Sequence, residues 1–395
     1  MLEIPGKYNT AKVFTDNIDS ETISQIISLM NQEFIKDANV RIMPDTHAGK
    51  GCVIGTTITI KDKIVPNLVG VDIGCGMRAI QLDDETIDLK QLDSIINTKI
   101  PSGFSIHNHA VKTFKSLHDL IAPIDIEYTN RSIGTLGGGN HFVELNKDKN
   151  DKLWLVIHTG SRHLGTEICK HYQKSAIASL RQDYIKDKID KSIKKLKAEG
   201  KEKDINNTIK IIKMQHQPIP DDLCYIEGKT FNDYIHDMSI AQNYAKLNRK
   251  TIADIIISAM NLHVAKEFDT IHNYIDIENM ILRKGAISAQ KGEIVIIPMN
   301  MRDGSLICVG KGNPEWNYSA PHGAGRIMSR GQAKERVSMS EFTESMKNIY
   351  STSVLESTID EAPMVYKPMD EIKANIIDTV DIIDTIKPIY NFKAH

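Results

Sequence analysis

Apolar residues at Ile23, Ile26, Ile27, Met30 and Phe34 recur at three- and four-residue steps after Asp19 and Ser20, and this spacing predicts an amphipathic helix over residues 20–37. Such a helix must bury one face against a sheet or another helix. From residue 40 to 82 the pattern changes to short β-branched runs separated by glycine, which predicts strands at 41–43, 52–60, 63–71 and 77–82. Helical spacing returns at 88–98 and 109–121, and a Gly-rich turn at 134–139 leads into strands at 142–145 and 154–157. The middle, from about 166 to 263, reads as helical. The end alternates short strands over 284–309 with helices near 339–349 and 369–386. The pattern places the chain in the α+β class.

Composition adds mainly exclusions. The chain has 395 residues, 41% hydrophobic and 25% charged, which is average for a soluble globular protein and excludes disorder, collagen and coiled-coil rods. Forty-nine Lys and Arg stand against 51 Asp and Glu, a net charge of −2, so the overall field does not hold a polyanion and any nucleic-acid contact needs a local patch. Between residues 186 and 213 ten Lys face five Asp or Glu, a net of +5. This helical basic arm, at about 166–215, reads either as a solvated face or as a docking surface for an RNA backbone. No run of 18 apolar residues and no signal-peptide layout is present, so a cytoplasmic protein is expected, with no membrane contact. The five cysteines form no C-x-x-C pair, which argues against a disulfide framework. Without repeats or linkers, a single domain over 1–395 is expected, and a monomer is favoured.

The 14 histidines are a mild excess, and several sit beside clustered glycines. Asp45 and His47 adjoin Gly49, Gly51 and Gly55; Asp72 and Cys75 adjoin Gly70, Gly74 and Gly76; Asn140 and His141 follow Gly137, Gly138 and Gly139; His322 precedes Gly323 and Gly325. Glycine clusters mark backbone that bends sharply or lets a ligand approach. In Val69-Gly70-Val71-Asp72-Ile73-Gly74-Cys75-Gly76, the carboxylate and thiol can converge on one point, where the thiolate is able to bridge two cations; an inert buried cysteine is the alternative. His158 and His272 supply further imidazoles. A thiolate, a carboxylate and imidazoles suit Mn²⁺, Fe²⁺, Co²⁺ or Zn²⁺ better than Ca²⁺ or Mg²⁺. In Ser319-Ala320-Pro321-His322-Gly323-Ala324-Gly325-Arg326, the histidine reads as a nucleophile toward phosphorus, with Arg326 and Arg330 one and two helical turns on to balance oxyanions. It reads equally as a further metal ligand or a residue at a helix start.

These motifs resemble the RtcB family of RNA ligases. The resemblance runs through Met43-Pro44-Asp45-Thr46-His47-Ala48-Gly49-Lys50-Gly51, the VGVDIGCGM run, the GTLGGGNHFVE run ending at Glu144, HTGSR at 158–162, IHN at 271–273, Arg283-Lys284-Gly285-Ala286 and SAPHGAGR, over nearly the whole chain in the family's order. It implies an RtcB-type fold with mixed sheets around a deep metal cleft and helices outside. It also implies two Mn²⁺ ions, with Cys75 as the bridge, His158 and His272 on one ion, and Asp72 and His141 on the other. His322 would take GMP from GTP, pass it to an RNA 3′-phosphate, and release it when a 5′-hydroxyl end is sealed; a 2′,3′-cyclic phosphate would first be opened. Asn140 would lie at the metal-bound phosphate, Arg162, Lys284 and Arg326 would balance charge, Asp45 would orient His322, and Glu144, Tyr366 and Lys393 would recognise guanine. The expected role is RNA repair or tRNA splicing.

The chain departs from the family pattern at His163, at Met299-Asn300-Met301-Arg302-Asp303-Gly304 and at Lys393-Ala394-His395, positions that bear on the guanylate pocket and the RNA entrance. Two other function classes are compatible with the residues: a guanylyltransferase that caps 3′-phosphate ends without sealing, and a metal-dependent phosphodiesterase or RNA-binding module with no nucleotide chemistry.

Overall fold

A computed structural model describes residues 1–215 and 219–394. Residue 395, part of the departing tail, lies outside them. Two large sheets carry the architecture. A six-stranded mixed sheet orders Leu2–Pro5, Thr10–Val13, Val40–His47, Ile54–Thr59, Ile281–Lys284 and Asn273–Asp276, with one parallel pairing between the second and third. A seven-stranded sheet orders Val264–Ile271, Gly76–Leu82, Leu153–Thr159, Phe142–Lys147, Val380–Lys393, Gly304–Gly310 and Ile294–Asn300. The mixed α+β class read from the pattern is the observed one.

The seven-stranded sheet curls until its edges meet, and the Ile296 N–H donates to Thr270 Oγ1 at 3.2 Å between the two edge strands. Side chains alternate across it, as strand geometry requires. Met77, Ala79, Phe142, Trp154, Val156, Ile296, Ile307 and Ile386 fill the inside of the curl. Ile80, Leu82, Val143, Leu145, Leu155, Ile157, Tyr390 and Phe392 face outward, onto the helices Leu89–Lys99 and Gly228–Met260. His158 continues the inward series of Trp154 and Val156, and Glu144 that of Phe142. The polar residues therefore stand at one end of an apolar curl.

The first helix, Ser20–Met30, begins where Asp19 accepts the Thr22 N–H and buries Ile26, Leu29 and Met30; a 3₁₀ turn over Glu33–Ile35 completes the predicted 20–37 segment. Three predicted elements differ. Residues 109–121 hold only a 3₁₀ turn, Lys115–Asp119, because side chains elsewhere take the backbone donors: Phe114 N–H goes to Asn130 Oδ1, and Ile121 and Ala122 N–H to the Asp237 carboxylate. The 63–71 strand stops at Ile64, since Pro66 favours the first position of a helix, Pro66–Val69. The 369–386 helix ends at Asn375, and the β-branched run beyond it enters the strand Val380–Lys393, paired on both sides, with Pro388 at a bulge.

Among the described residues the predicted helical middle holds three α-helices, His163–Ala198, Ile205–Gln215 and Gly228–Met260. The first two pack against each other and carry the basic arm, on which Lys194, Lys195 and Lys197 are exposed. No helix among the described residues is long and apolar enough to cross a membrane.

The third helix pins the loops that bear the chemistry. Arg249, fully buried, donates through Nη1 to the carbonyls of Gly74 and Thr159, each at 2.9 Å, and pairs through Nε with Asp269 at 2.8 Å. One residue earlier, Asn248 accepts from Gly134 N–H at 2.8 Å and donates to Gly160 O at 3.1 Å. Arg249→Leu is expected to lower stability by about 3–5 kcal/mol, because it leaves two carbonyls without their buried donor and removes one of the two cations beside Asp269, which keeps Arg78 at 2.6 Å. A fall in the urea midpoint with an unchanged slope checks this; an unchanged midpoint counts against it.

Candidate functional site

Sheet register brings the predicted ligands together. Gly76 pairs with Ile271 on one side and Thr159 on the other, His158 pairs with Phe142, and Phe142 with Lys393. Residues far apart in the chain thus meet across five adjacent strands. Cys75, His158 and His272 form one group whose ligand atoms all lie within 4.8 Å of one another, and Asp72, Cys75 and His141 form a second. Cys75 Sγ, common to both, lies 3.4 Å from His158 Nε2 and 3.5 Å from His141 Nε2, and Asp72 Oδ2 lies 3.1 Å from the latter. Packing here is intolerant of change: a side chain at Gly160 would run into the Asp72 carboxylate.

The far nitrogen of two imidazoles is fixed by the backbone. His141 Nδ1 lies 2.8 Å from Leu136 O and His158 Nδ1 3.2 Å from Asn140 O. Donation from Nδ1–H to those carbonyls leaves each Nε2 lone pair facing Cys75, which is how backbone partners set metal-binding tautomers. His272 is buried, and its Nδ1 has no hydrogen-bond partner among the described residues. A buried ring nitrogen aimed at no protein acceptor fits a cation better than a packing role. Burial, then neighbouring imidazoles, holds His158 and His272 well below the ordinary histidine range, so both are neutral and ready to ligate. Burial, then the Asp72 carboxylate, pushes the Cys75 thiol well up. Burial pushes Asp72 up too, but His141, Cys75 and Arg162 outweigh it and hold the carboxyl below its usual value. This donor set fits divalent transition-metal cations.

His322 stands beside this cluster, its ring centroid 4.8 Å from that of His272. A two-stranded ladder, Ala286–Ser288 against Ser319–Pro321, delivers it. Asp45, fully buried, takes three donors on one oxygen: His322 Nδ1 at 2.6 Å and the N–H groups of His322 and Gly323 at 3.1 and 3.2 Å. With Nδ1–H given to Asp45, the Nε2 lone pair is free for nucleophilic work. The stretch from His322 to Ser329 is a loop, not the predicted helical turns; the helix starts only at Arg330.

A cavity of about 680 Å³ opens over His158 and His322 and is lined by Asn140, Glu144, Arg326, Tyr366 and Lys393 among others. Curated proteins resemble the chain throughout. The family model described as tRNA-splicing ligase RtcB matches residues 25–123 and 118–394. The RNA-splicing ligase RtcB of Escherichia coli strain K12 is 30% identical over 94% of each chain, and the tRNA-splicing ligase RtcB of Archaeoglobus fulgidus is 24% identical over 94% of this chain and 90% of its own. The chain belongs to the RtcB family.

Set against the RtcB resemblance, not every expected side chain reaches the cavity. Arg162 and Lys284 do not line it. Arg162 donates to Thr135 Oγ1 and Gly103 O, at a strained φ of +58° that opens the helix His163–Ala198. Lys284 donates to Lys50 O and to Asn67 O, and burial lowers its pKa to about 8. Arg326 does line the cavity, but its guanidinium pairs with Glu361 at 3.1 Å and lies over the Tyr366 ring at 5.2 Å. Asp45 sits behind His322.

Glu361, which the sequence reading missed, is the centre of this wall. It is buried and accepts Tyr366 OH at 2.6 Å, Lys393 Nζ at 3.0 Å and Arg330 Nη2 at 3.2 Å besides Arg326. Burial opposes its charge, but the three cations prevail and bring its pKa down to about 2. No local pattern marks it, since its partners lie 5 to 35 positions away. Phe142 and His47, also lining the cavity, were legible within the quoted RtcB motifs but given no role.

Metal uptake is expected to release about one proton at neutral pH, because the Cys75 thiol must ionise while His158 and His272 are already neutral. Calorimetry of Mn²⁺ binding in buffers of different ionisation enthalpy reads this. Affinity should weaken about tenfold for each pH unit of acidification, and Cys75→Ala should lose the metal; retention of metal by that variant overturns the assignment.

Proposed function

We propose that the protein is an RNA ligase that joins a 3′-phosphate or 2′,3′-cyclic phosphate end to a 5′-hydroxyl end at the expense of GTP, in RNA repair or tRNA splicing. The observation that carries this reading is the imidazole of His322, ordered by Asp45 with Nε2 free, at a nucleotide-sized cavity beside two overlapping metal donor sets. Family membership supports it.

In this reading Cys75, His158 and His272 would hold one Mn²⁺, and Asp72, Cys75 and His141 would hold a second; such cations would supply charge neutralisation at phosphoryl oxygens. His322 Nε2 attacks the α-phosphorus of GTP, forming a P–N bond as the P–O bond to pyrophosphate breaks. Asp45 keeps Nδ1–H in place and stabilises the positive charge that the ring gains. An oxygen of the RNA 3′-phosphate then takes the GMP from His322, and the 5′-hydroxyl attacks that RNA phosphorus, expelling GMP and losing its proton. Arg326, which lines the cavity while paired with Glu361, balances phosphate charge in this reading. Arg162 and Lys284 act through the loops that they hold, and Asn140 through its carbonyl, which lies 3.2 Å from both His158 Nδ1 and Lys393 Nζ.

For the base, Glu144 offers a carboxylate held by Asn391 Nδ2 at 2.6 Å, Lys393 a donor, and Phe142 and Tyr366 flat faces. Guanine presents N1–H and N2–H₂ to a carboxylate, whereas adenine presents an acceptor at N1. The exposed lysines of the arm give the RNA backbone a local basic surface. All five cysteines are free and buried, in keeping with a reducing compartment, the cytoplasm, and one catalytic unit spans the chain.

Labelled GTP with an RNA bearing 3′-phosphate and 5′-hydroxyl ends tests the reaction. A joined product and a GMP adduct absent from His322→Ala are expected; an end-linked GMP without joining indicates capping, and no adduct removes nucleotide chemistry altogether. Asp45→Asn should fold normally and slow adduct formation by about 10²-fold or more, through the misoriented ring. A normal rate there excludes the positioning role.

Burial raises Glu144 to about 7, against the pull of Lys393 and Asn391. The carboxyl is thus protonated below about 7 and an acceptor above. Preference for GTP over ATP in adduct formation is expected to rise with pH through that value and to be flat in Glu144→Gln. A pH-independent preference in the wild type removes Glu144 from base recognition.

A further inference from the structure

Phe104 is 99% exposed, the most exposed large apolar side chain described, yet its backbone is clamped. Leu136 N–H donates to Pro101 O at 2.9 Å, Gly103 N–H to Gly137 O at 2.7 Å, Ser105 N–H to Ser102 O at 3.1 Å, and Arg162 Nη2 to Gly103 O at 2.8 Å. The loop is therefore a strand-like extension of the Gly-rich turn that carries Asn140 and His141. Gly137 packs against the Arg162 guanidinium and the His141 ring; an added Cβ would collide with the first and stand 3.0 Å from Nδ1 of the second. Gly138 and Gly139 are exposed; a Cβ on the first would meet nothing nearer than Gly103 Cα at 3.9 Å, and one on the second would lie 3.5 Å from Arg330 Nη2. Asn140 and Arg330 line the cavity. An open ridge thus runs from the Phe104 ring over bare glycines to the rim of the site.

Such a ridge has the chemistry of a single-strand path: no side chains to obstruct a sugar–phosphate chain, an aromatic face at its outer end and a guanidinium at its inner end. Residues 101–118 contain no Asp or Glu and carry Lys112, Lys115 and three histidines, although Lys112 pairs with Asp254 at 2.8 Å. An exposed ring on a clamped backbone, with nothing upon it, has no packing function in the folded chain. We infer that Phe104 stacks an unpaired base of the RNA next to the end being joined. The inference rests on the ligase reading for its ligand, and its residue lies outside the catalytic set.

The test is binding of a short single-stranded RNA with a 3′-phosphate, measured by anisotropy without GTP, and by quenching of the introduced indole in Phe104→Trp. Phe104→Ala is expected to weaken binding about 5- to 150-fold. Adduct formation on His322 stays unchanged, Phe104→Trp restores binding, and the slope of log affinity on log salt does not move, since no charge is lost. Abasic positions at the last two nucleotides should weaken binding to the wild type but not to Phe104→Ala. Equal affinity of wild type and Phe104→Ala, an equal loss on intact and abasic RNA, or a change of oligomeric size in Phe104→Ala, which would mark a protein contact, overturns the inference. A wild type that binds this RNA but forms no GMP adduct defeats the ligase reading and leaves the stacking result to stand on the binding data; a wild type that binds no RNA defeats both.

Discussion

The register of the curled sheet is the constraint on which the site depends. Because side chains alternate, a strand that buries Trp154 and Val156 inside the curl must also send His158 inward, and one that buries Phe142 must send Glu144 the same way. The pairing of Glu144 with Asn391 and of Phe142 with Lys393 then sets which polar groups meet. A slip of one residue in these pairings would turn His158 or Glu144 outward. The apolar interior of the curl is thus what orders the polar mouth.

The mouth concentrates charge that water does not reach freely, and each charge has a partner. Glu361 stands among Arg326, Arg330 and Lys393, Asp269 between Arg78 and Arg249, and Asp45 against His322. Buried ions without partners cost several kcal/mol each, so these networks are obligatory once the residues are there. They also hold the cavity wall in one arrangement before any ligand binds, and a wall already organised loses less on reaction than one that must reorganise. Among the described residues, the cluster around Cys75 leaves donors pointing at one another without a protein cation among them, which is where cations fit.

One loop system carries both a strained and an exposed residue. Arg162 adopts a positive φ, clamps the Gly103 carbonyl and sits against Gly137, and the same layer displays Phe104. Backbone strain and an uncovered aromatic ring both cost stability; Arg162 follows His158 by four residues, and Phe104 follows Gly103, whose N–H bonds Gly137 O, four residues before His141. That placement joins the surface of the protein to its chemistry.

Much of this was legible in the chain. Histidines and a cysteine beside clustered glycines marked candidate metal donors, and apolar runs after a Gly-rich turn marked the strands at 142–145 and 154–157, because these signals are local: turn chemistry and strand propensity act over a few residues. The helix expected at 109–121 failed because Asn130 and Asp237, distant in sequence, captured its backbone donors. The helix expected through 386 failed because β-branched residues found partners on both sides in a sheet. Glu361 could not be read at all, since its meaning lies in Lys393, Arg326 and Arg330 standing around it. The sequence alone determined which residues had the chemistry and which backbone had to bend; tertiary structure alone decided which of them share a cavity, because sheet register and closure are set by contacts between segments that local periodicity does not encode.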